Sequence, residues 1–407
     1  MTNILPTYPR SNLEFSHGQG SYLYEKSGEK FLDFGTGIAV NSLGYSHPYI
    51  NSKLNEQAEK LWHLSNVYKI PEQELLAKRL CDLCFADYVF FCNSGTEAVE
   101  ASIKIARRYF YNPDVTKNKT EILSFSGSFH GRTIGSLAAG GPDKLSTFNT
   151  NVNDFNLLEF GDHDSLQNSI NENTAAIIIE PIQGEGGDNH FRCEFMQSLR
   201  SIADENDIIL IYDEVQTGVG VTGKMWAHQN FSNTDCGSEE CKCGDGLLAK
   251  PDIISFGKKT QVCGVAASKR FDEVDGNVFR ESSRINSTWG GSLVDMVRLT
   301  IYLELIEKEN LVDKAAKTGK FLLNSLHNLE DEFPSLVSNA RGRGLYCAFD
   351  LPSSDKRDHL ANHLMDEGSI LLGSGNYSIR FRPHLNVTED DINFGMDCFR
   401  RALKKLT

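Results

Sequence analysis

Short, continuous apolar runs recur along the chain, and each of them ends in a polar or glycine-rich turn. The clearest are YVFFCNSGT, EILSFSGSFHG, AAIIIEPIQGEGG, IILIYDEVQTG and PDIISFGKK. Runs of this kind predict strands buried on both faces, which implies an α/β fold with a mostly parallel sheet covered by helices. Because ligand sites in such sheets lie at the carboxyl ends of the strands, we expect the functional groups to cluster there.

Length and charge narrow the classes of protein. A chain of 407 residues exceeds one ordinary hydrophobic core, which predicts a large domain with a smaller partner. The net charge of -14 would repel a phosphate backbone, so nucleic acid is not an expected partner. No apolar stretch approaches the ~18 residues of a membrane span, and MTNILPTYPR lacks the apolar core of a signal peptide. We therefore expect a cytoplasmic protein without a membrane segment.

The ten cysteines are scattered through the chain and, without an export signal, are expected to be reduced thiols. Cys236, Cys241 and Cys243 lie close together in DCGSEECKCGD, an acidic loop that could hold a soft metal. Three thiols without a visible fourth ligand are a weak zinc signal, and we predict no metal site.

The stretch FFCNSGTEAVEASIKIARRYF predicts a strand, a turn of small residues and a helix. Ser94, Gly95 and Thr96 would lie at the N-terminus of that helix. Free N–H groups, two hydroxyls and the positive end of the helix dipole suit a phosphate there. The alternative is ordinary helix capping by Ser94 or Thr96, and this motif alone leaves both interpretations open.

Two carboxylates follow a neighbouring apolar run, in IILIYDEVQTG. The run would deliver Asp213 and Glu214 to the edge of the sheet, where an unpaired buried carboxylate is costly and needs a cationic partner. A protonated pyridine nitrogen would serve, because pyridoxal phosphate enzymes pair that nitrogen with an acid and bind the cofactor aldehyde to a lysine. The alternative is a solvated pair of acids at a strand end.

A candidate lysine comes after a later apolar run, in IISFGKKTQVCG. Adjacent residues on an extended segment point to opposite sides, so only one of Lys258 and Lys259 can face a cofactor. This alternation does not say which of the two it is.

A third motif, GVGVTG, matches the dinucleotide-binding pattern through Gly218, Gly220 and Gly223. The segment DEVQT separates it from the preceding strand and would set two carboxylates near an anionic pyrophosphate. A nicotinamide-dependent dehydrogenase is therefore only a remote alternative.

Seven motifs occur in a fixed order over almost the whole chain: NSGTEA, SFHGRT, EPIQGEGG, DEVQTG, PDIISFGKK, NSTWGG and IRFRP. In this order they resemble the class III aminotransferases, pyridoxal phosphate enzymes of fold type I. The resemblance implies an N-terminal segment (residues 1–50) that packs with the small domain, a large cofactor domain (51–300) and a small C-terminal α+β domain (301–407). It also implies a homodimer with active sites shared across the interface.

Carried over to this sequence, the resemblance assigns cofactor contacts to Ser94, Gly95, Thr96, Phe129, His130, Asp213, Gln216, Lys258 and Thr288. Phe129 would stack on the pyridine ring, Asp213 would keep the ring nitrogen protonated, and Gln216 would hydrogen-bond the ring hydroxyl. Lys258 would bind the cofactor aldehyde and later carry the proton between substrate and cofactor. Thr288 would reach the phosphate of the partner subunit.

The substrate contacts that the resemblance implies are Arg132, Glu185, Asn286 and Arg380. Two arginines, Arg132 and Arg380, could clamp the two carboxylates of 2-oxoglutarate or glutamate. A donor that reacts through its terminal amine needs only one arginine. In this family a glutamate, here Glu185, then pairs with the second arginine and swings away for the keto acid.

The identity of the amino donor is where the resemblance divides. Residues 1–185 are most similar to N-acetylornithine aminotransferases, whereas GEGGDNHF, FGKKTQVCGV and RINSTWGGSLVDMVR are more similar to L-lysine 6-aminotransferases. Because the segment of the catalytic lysine follows the lysine type, we expect L-lysine as the donor. N-acetylornithine, or ornithine, is the alternative.

Overall fold

The computed structural model describes residues 3–116, 118–232, 249–290 and 292–406. Cys236, Cys241 and Cys243 lie outside these ranges. The strands are β1 (Phe15–Gln19), β2 (Tyr22–Glu25), β3 (Lys30–Asp33), β4 (Tyr88–Cys92), β5 (Glu121–Phe125), β6 (Phe155–Leu158), β7 (Thr174–Ile179), β8 (Ile182–Gln183), β9 (Asn189–His190), β10 (Ile209–Asp213), β11 (Ile253–Phe256), β12 (Cys263–Ala267), β13 (Ser338–Arg343), β14 (Tyr346–Asp350), β15 (Ser369–Ile370), β16 (Leu372–Ser374) and β17 (Ser378–Phe381).

Helices follow most of the strands of the first 300 residues and dominate the C-terminal part of the chain. They are α1 (Thr36–Ala39), α2 (Pro48–Lys60), α3 (Pro71–Asp82), α4 (Gly95–Tyr109), α5 (Ile134–Ala138), α6 (Pro142–Ser146), α7 (His163–Ser169), α8 (Cys193–Glu205), α9 (Leu293–Lys308), α10 (Leu311–Glu332), α11 (Ser354–Asp366) and α12 (Glu389–Lys404). No helix within the described ranges is both long enough and apolar enough to cross a lipid bilayer.

The central sheet has seven strands in the order β4-β12-β11-β10-β7-β5-β6. The pairs of β11 with β10, β10 with β7, β7 with β5 and β5 with β6 are parallel. Only β12 runs against its neighbours, since it pairs antiparallel with both β11 and β4. The mostly parallel sheet that the apolar runs predict is confirmed.

Helices cover both faces of this sheet because successive residues of a strand point to opposite sides. In β7, Ile177 and Ile179 pack in one core cluster with Met196 of α8, whereas Ile178 packs in another with Val99 of α4. All six residues of β7 are buried. This burial explains why the strand is apolar without alternation.

Smaller sheets flank the central one. β1, β2 and β3 form one sheet with β15, which pairs in parallel with β3. β13, β14, β17 and β16 form another, to which β17 contributes Arg380 beside β14. The N-terminal strands thus contact the C-terminal part of the chain, while the domain boundaries at residues 50 and 300 stay predictions.

Candidate active site

A cavity of about 450 Å³ lies where β7, β10 and β11 end, at the carboxyl edge of the central sheet. It is large enough for a small-molecule ligand, since such pockets measure roughly 300–1,000 Å³. The predicted site residues in its wall are Gly95, Thr96, Phe129, His130, Arg132, Glu185, Asp213, Gln216 and Lys258. The wall also contains Val40, Glu180, Val215, Gln261 and Cys263. The structure therefore brings together residues from five of the seven motifs.

The N-terminus of α4 forms one side of the cavity. Ser94 caps this helix, because its hydroxyl oxygen accepts a hydrogen bond from the backbone N–H of Glu97 at 3.3 Å. Gly95 and Thr96 follow it in the cavity wall. A Cβ on Gly95 would lie 2.9 Å from Val215 Cγ1, so only glycine allows the helix to start this close to the end of β10. The Ser94 side chain thus acts as a cap, whereas Gly95 and Thr96 line the cavity.

Asp213 reaches the cavity from the end of β10 and is buried. Its Oδ2 lies 2.8 Å from Nδ1 of His130, and its Oδ1 accepts the backbone N–H of Val215 at 3.1 Å. Within the part of the chain that the structure describes, Nε2 of His130 is buried without a hydrogen-bond partner. His130 and the backbone N–H of Val215 therefore hold the buried Asp213 carboxylate in place, and Asp213 remains part of the cavity wall, where a ligand can reach it.

The second carboxylate of the strand end, Glu214, points away from the cavity. It accepts hydrogen bonds from the backbone N–H groups of Ala227 at 2.7 Å and His228 at 2.9 Å. Thr217 donates to it as well, at 3.1 Å. Neither acid of the DEVQTG motif is solvated, and only Asp213 belongs to the site.

The two adjacent lysines separate in a short 3₁₀ turn, Lys258–Thr260, that follows β11. Lys258 begins the turn with a φ of +41°, in the left-handed region, and lies in the cavity wall. Lys259 is fully buried, and its Nζ donates to the carbonyl oxygen of Pro383 at 3.3 Å. The predicted extended segment is thus a turn, but the two side chains do diverge.

Burial lowers the pKa of the Lys258 ammonium below its ordinary value, although the Glu185 carboxylate opposes this shift. Burial also lowers the pKa of Lys259, to about 7, and the Arg382 guanidinium adds to the effect. A lowered pKa gives Lys258 a larger fraction of the neutral amine, which is the form that reacts with an aldehyde.

Glu185 and Arg380 form an ion pair at one end of the cavity, with 2.7 Å between Oε1 and Nη1. Among the described residues, Glu185 is part of the cavity wall and Arg380 lies behind it. Arg132 is exposed in the wall, and its guanidinium carbon lies 5.1 Å from the ring centroid of Phe129. One arginine is thus covered by a carboxylate and the other is open.

Glu180 is a buried acid of the cavity wall to which the sequence analysis assigned no role. It accepts the backbone N–H of Phe129 at 2.8 Å and that of Gly184 at 3.1 Å. Burial raises the pKa of Glu180 to about 7, although the nearby His130 opposes the shift. Its position at the start of EPIQGEGG, directly after β7, is the signal that could have revealed it.

Asn286 and Thr288 lie away from this cavity, on an exposed loop. Asn286 lines a second hollow of about 300 Å³ together with Asn66 and Phe91. The loop is held by a hydrogen bond from Nδ2 of Asn66 to the carbonyl oxygen of Ser287, at 3.0 Å. The cavity and the loop are separate features of the described chain.

The GVGVTG segment does not begin a helix in the described structure. Val219, Gly220 and Gly223 have positive φ values of 62°, 86° and 81°, and the next helical element is the 3₁₀ segment Ala227–Ser232. A dinucleotide fingerprint needs a helix N-terminus at this point, so the glycines form a turn without that function.

Comparison with known proteins agrees with the motif order. The family model Aminotransferase class-III matches residues 7–403. An acetylornithine aminotransferase of Agrobacterium fabrum is 38% identical over 408 residues, which cover 99% of this chain and 96% of that protein. An L-lysine-epsilon aminotransferase of Mycobacterium bovis is 35% identical, over 97% of this chain and 92% of that protein.

A solved structure shares the fold over the whole chain. The lysine aminotransferase from M. tuberculosis, in its internal aldimine form, superposes with a TM-score of 0.86 at 34% identity. The alignment covers 100% of this chain and 97% of that one. The sheet with helices on both faces is thus the fold type I of pyridoxal phosphate enzymes, and the chain belongs to the class-III aminotransferase family.

Proposed function

We propose that this chain uses pyridoxal phosphate to move the terminal amino group of a basic amino acid, or of its Nα-acetyl derivative, to 2-oxoglutarate. The observation that carries the proposal is that Glu185, which lies in the same cavity wall as Lys258 and the uncovered Arg132, forms an ion pair with Arg380 behind it. A donor with one carboxylate needs only the open arginine, Arg132. An acceptor with two carboxylates can also use Arg380 once Glu185 has moved away from it.

The residues present fit pyridoxal phosphate. The N-terminus of α4, at Gly95 and Thr96, suits the phosphate, and the carboxylate of Asp213 is placed to accept a ring N–H. Phe129 offers an aromatic face, and Lys258 offers an amine for the aldehyde. When bound, the cofactor supplies an electron-withdrawing ring that takes up the electron pair released at the amine-bearing carbon.

Asp213 would hold the proton on the ring nitrogen, which makes the ring a better electron acceptor. His130 supports this role, since its ring nitrogen lies 2.8 Å from Asp213 Oδ2 and fixes the carboxylate. Lys258 Nζ would remove the proton from the substrate carbon and deliver it to the cofactor carbon. The lowered pKa of Lys258 supports a neutral amine as the base.

For the donor, N-acetylornithine now has more support than L-lysine. An acetylornithine aminotransferase is 38% identical over 99% of this chain, and this supports N-acetylornithine, the alternative donor, over L-lysine, the expected one. The uncovered Arg132 would bind the α-carboxylate and leave the terminal amine to reach Lys258.

L-lysine is the second candidate, and one contact in the cavity favours it. Nε2 of Gln261 donates to the carbonyl oxygen of Val40 at 3.2 Å and to the Tyr302 hydroxyl at 2.8 Å. Both N–H groups of this amide are then used, which leaves its oxygen to accept a hydrogen bond in the cavity wall. Such an acceptor suits the free α-ammonium group of lysine, which an acetylated donor lacks.

We further propose a homodimer in which Thr288 reaches the partner's cofactor phosphate. Large apolar side chains are exposed beside this loop: Trp62, Val67, Tyr68 and Trp289 are 65%, 82%, 64% and 58% exposed. The rings of His63 and Trp289 contact each other in a tilted arrangement, with 4.8 Å between ring centroids, so the two segments form one surface. An apolar surface of this extent is typical of a protein interface.

Sedimentation velocity tests the dimer. Trp62→Glu with Trp289→Glu should give a monomer that retains less cofactor, while Phe394→Glu, an exposed apolar position on α12, should stay dimeric. A wild-type monomer with full activity would contradict the proposal.

We also propose a cytoplasmic location. Cys81, Cys84 and Cys263 are only partly buried and are free thiols, which suits a reducing compartment.

Glutamate formation tests the reaction itself. The purified protein with pyridoxal phosphate and 2-oxoglutarate is assayed with N-acetylornithine, L-lysine, L-ornithine and 4-aminobutyrate, and glutamate is measured. We expect glutamate with at least one donor that has an α-carboxylate and a terminal amine, and the highest kcat/KM with N-acetylornithine. A highest value with L-lysine would select the second candidate, and no glutamate with any donor would contradict the proposal.

A further inference from the structure

Arg382 is a fully buried arginine on the far side of Gln216 from the cavity. It forms two hydrogen bonds with Asp188, from Nη1 to Oδ2 at 2.8 Å and from Nη2 to Oδ1. Its guanidinium carbon lies 3.3 Å from the ring centroid of Tyr346. Arg382 and Asp188 are 2% and 0% exposed, so this ion pair is closed to solvent.

Both Arg382 and Tyr346 donate hydrogen bonds to the same atom of Gln216. Nε of Arg382 lies 3.0 Å from Gln216 Oε1, and the hydroxyl of Tyr346 lies 2.8 Å from it. An arginine can only donate, so the atom that faces Arg382 must be the amide oxygen. Burial raises the pKa of Tyr346, which keeps its hydroxyl protonated and able to donate.

These contacts determine where the other end of the amide points. With its oxygen directed toward Arg382 and Tyr346, Gln216 presents its NH₂ group on the opposite side, and Gln216 is part of the cavity wall. An amide flip would place N–H groups against the N–H of Arg382 and leave buried donors without acceptors, which is costly.

We infer that Arg382, Asp188 and Tyr346 are positioning residues that hold Gln216 as an N–H donor toward the phenolic oxygen of bound pyridoxal phosphate. The inference rests on the proposed function. The consequence is electrostatic: an N–H donor stabilises the negative charge on that oxygen when the neighbouring lysine-linked nitrogen loses its proton. Gln216 in this orientation should therefore lower the pKa of the nitrogen that links Lys258 to the cofactor, and with it the pH at which the visible absorption band changes.

Comparison with the neighbouring ion pair explains why this orientation is fixed. Arg380 lies in β17, and Arg382 directly follows the last residue of this strand. Glu185 has a partly exposed side chain and bonds Arg380 through one oxygen, whereas Asp188 is fully buried and uses both oxygens on Arg382. The ion pair of Glu185 with Arg380 can therefore separate when a substrate binds, whereas the buried pair of Asp188 with Arg382 stays formed.

The test is a pH titration of the visible absorption band of the holoenzyme. The variants are Tyr346→Phe, Gln216→Leu and both together, with Tyr88→Phe as a control that removes a hydroxyl bonded to Asp272. Tyr346→Phe should raise the pH midpoint by about 0.5 unit, and Gln216→Leu should raise it further. The double variant should match Gln216→Leu alone, because Tyr346 acts through Gln216. Tyr88→Phe should leave the midpoint unchanged.

An unchanged midpoint in Tyr346→Phe would overturn the inference. So would a Tyr346→Phe shift of the same size in the wild type and in the Gln216→Leu background. If the wild-type protein shows no visible band with pyridoxal phosphate, the proposed function itself fails. A second variant, Asp188→Asn with Arg382→Gln, removes both buried charges together, so that neither is left unpaired. It should raise the midpoint as well, and a midpoint equal to that of the wild type would count against the role of Arg382.

Discussion

The carboxylate of Glu185 covers the guanidinium of Arg380, with 2.7 Å between Oε1 and Nη1. Burial alone would raise the pKa of Glu185, but Arg380 outweighs it and leaves the pKa below its ordinary value. The Glu185 carboxylate is therefore charged at neutral pH. Because the carboxylate side chain is 31% exposed and that of Arg380 only 6%, Glu185 is the partner that can move.

Glu185→Gln should impair the donor half of the reaction. A neutral amide covers Arg380 less strongly, so the donor can bind with its carboxylate on the wrong arginine. We expect kcat/KM for the terminal-amine donor to fall roughly tenfold to hundredfold, which is the value of a charged hydrogen bond. The half-reaction with glutamate should be unchanged or faster. Glu332→Gln breaks a matched pair with Arg400 far from the cavity and is the control. Equal losses in both half-reactions would contradict the role of Glu185.

The adjacent lysines should respond differently to substitution. Lys258→Ala should abolish turnover and the visible band, because the cavity loses the amine that binds the aldehyde. Lys259→Met keeps the buried volume and should retain both, since the Lys259 side chain points to Pro383 instead of the cavity. Absorption spectra and glutamate formation check both variants. A Lys259→Met protein without the band would show that the assignment is reversed.

Lys259 should also make stability depend on pH. Its pKa is lowered to about 7 in the folded chain, whereas an unfolded lysine titrates near ~10.4. Between these values the unfolded chain binds more protons, so the free energy of unfolding rises with pH. Lys259→Met removes this contribution. Urea unfolding at several pH values should show that the wild type gains stability relative to Lys259→Met from pH 7 to pH 9. If the difference in the free energy of unfolding between the wild type and Lys259→Met did not vary with pH, the lowered pKa of the buried Lys259 amine would be contradicted.

The two acids at the end of β10 form a matched pair for testing the site. Asp213→Asn should lower kcat by roughly 100-fold or more, because it removes a preorganised charge from the cavity. Glu214→Gln should leave kcat nearly unchanged but lower the free energy of unfolding by about 1–3 kcal/mol, since the carboxylate accepts four buried hydrogen bonds. The reverse pattern would show that the wrong acid was assigned to the cofactor.

Local sequence was sufficient for five of the seven strands of the central sheet, β4, β5, β7, β10 and β11. The apolar runs YVFFC, EILSF and IILIYD coincide with β4, β5 and β10, because strands buried on both faces must be apolar throughout. The antiparallel strand β12, CGVAA, was not predicted, since its small and mixed residues carry no strand signal of their own. Its place in the sheet depends on pairing with β4 and β11.

The site was predicted through ordered motifs, and its supporting contacts were not. Asp188 and Arg382 are 194 positions apart, and no local pattern indicates that they form an ion pair. The sequence left open whether Ser94 caps the helix and which way Glu214 points. Both depend on hydrogen bonds from backbone N–H groups, that of Glu97 to Ser94 and that of Ala227 to Glu214. Spacing identifies residue types at strand ends, whereas their orientation depends on tertiary packing.

The absorption spectrum of the holoenzyme during one half-reaction tests the central claim most directly. Protein loaded with pyridoxal phosphate is mixed with N-acetylornithine or L-lysine in the absence of a keto acid, and 2-oxoglutarate is added afterwards. We predict that the visible band disappears with at least one donor, returns with 2-oxoglutarate, and is absent from the start in Lys258→Ala. A wild-type protein that stays colourless with pyridoxal phosphate, or a band that no amino donor changes, would contradict the assignment of this chain as a terminal-amine aminotransferase.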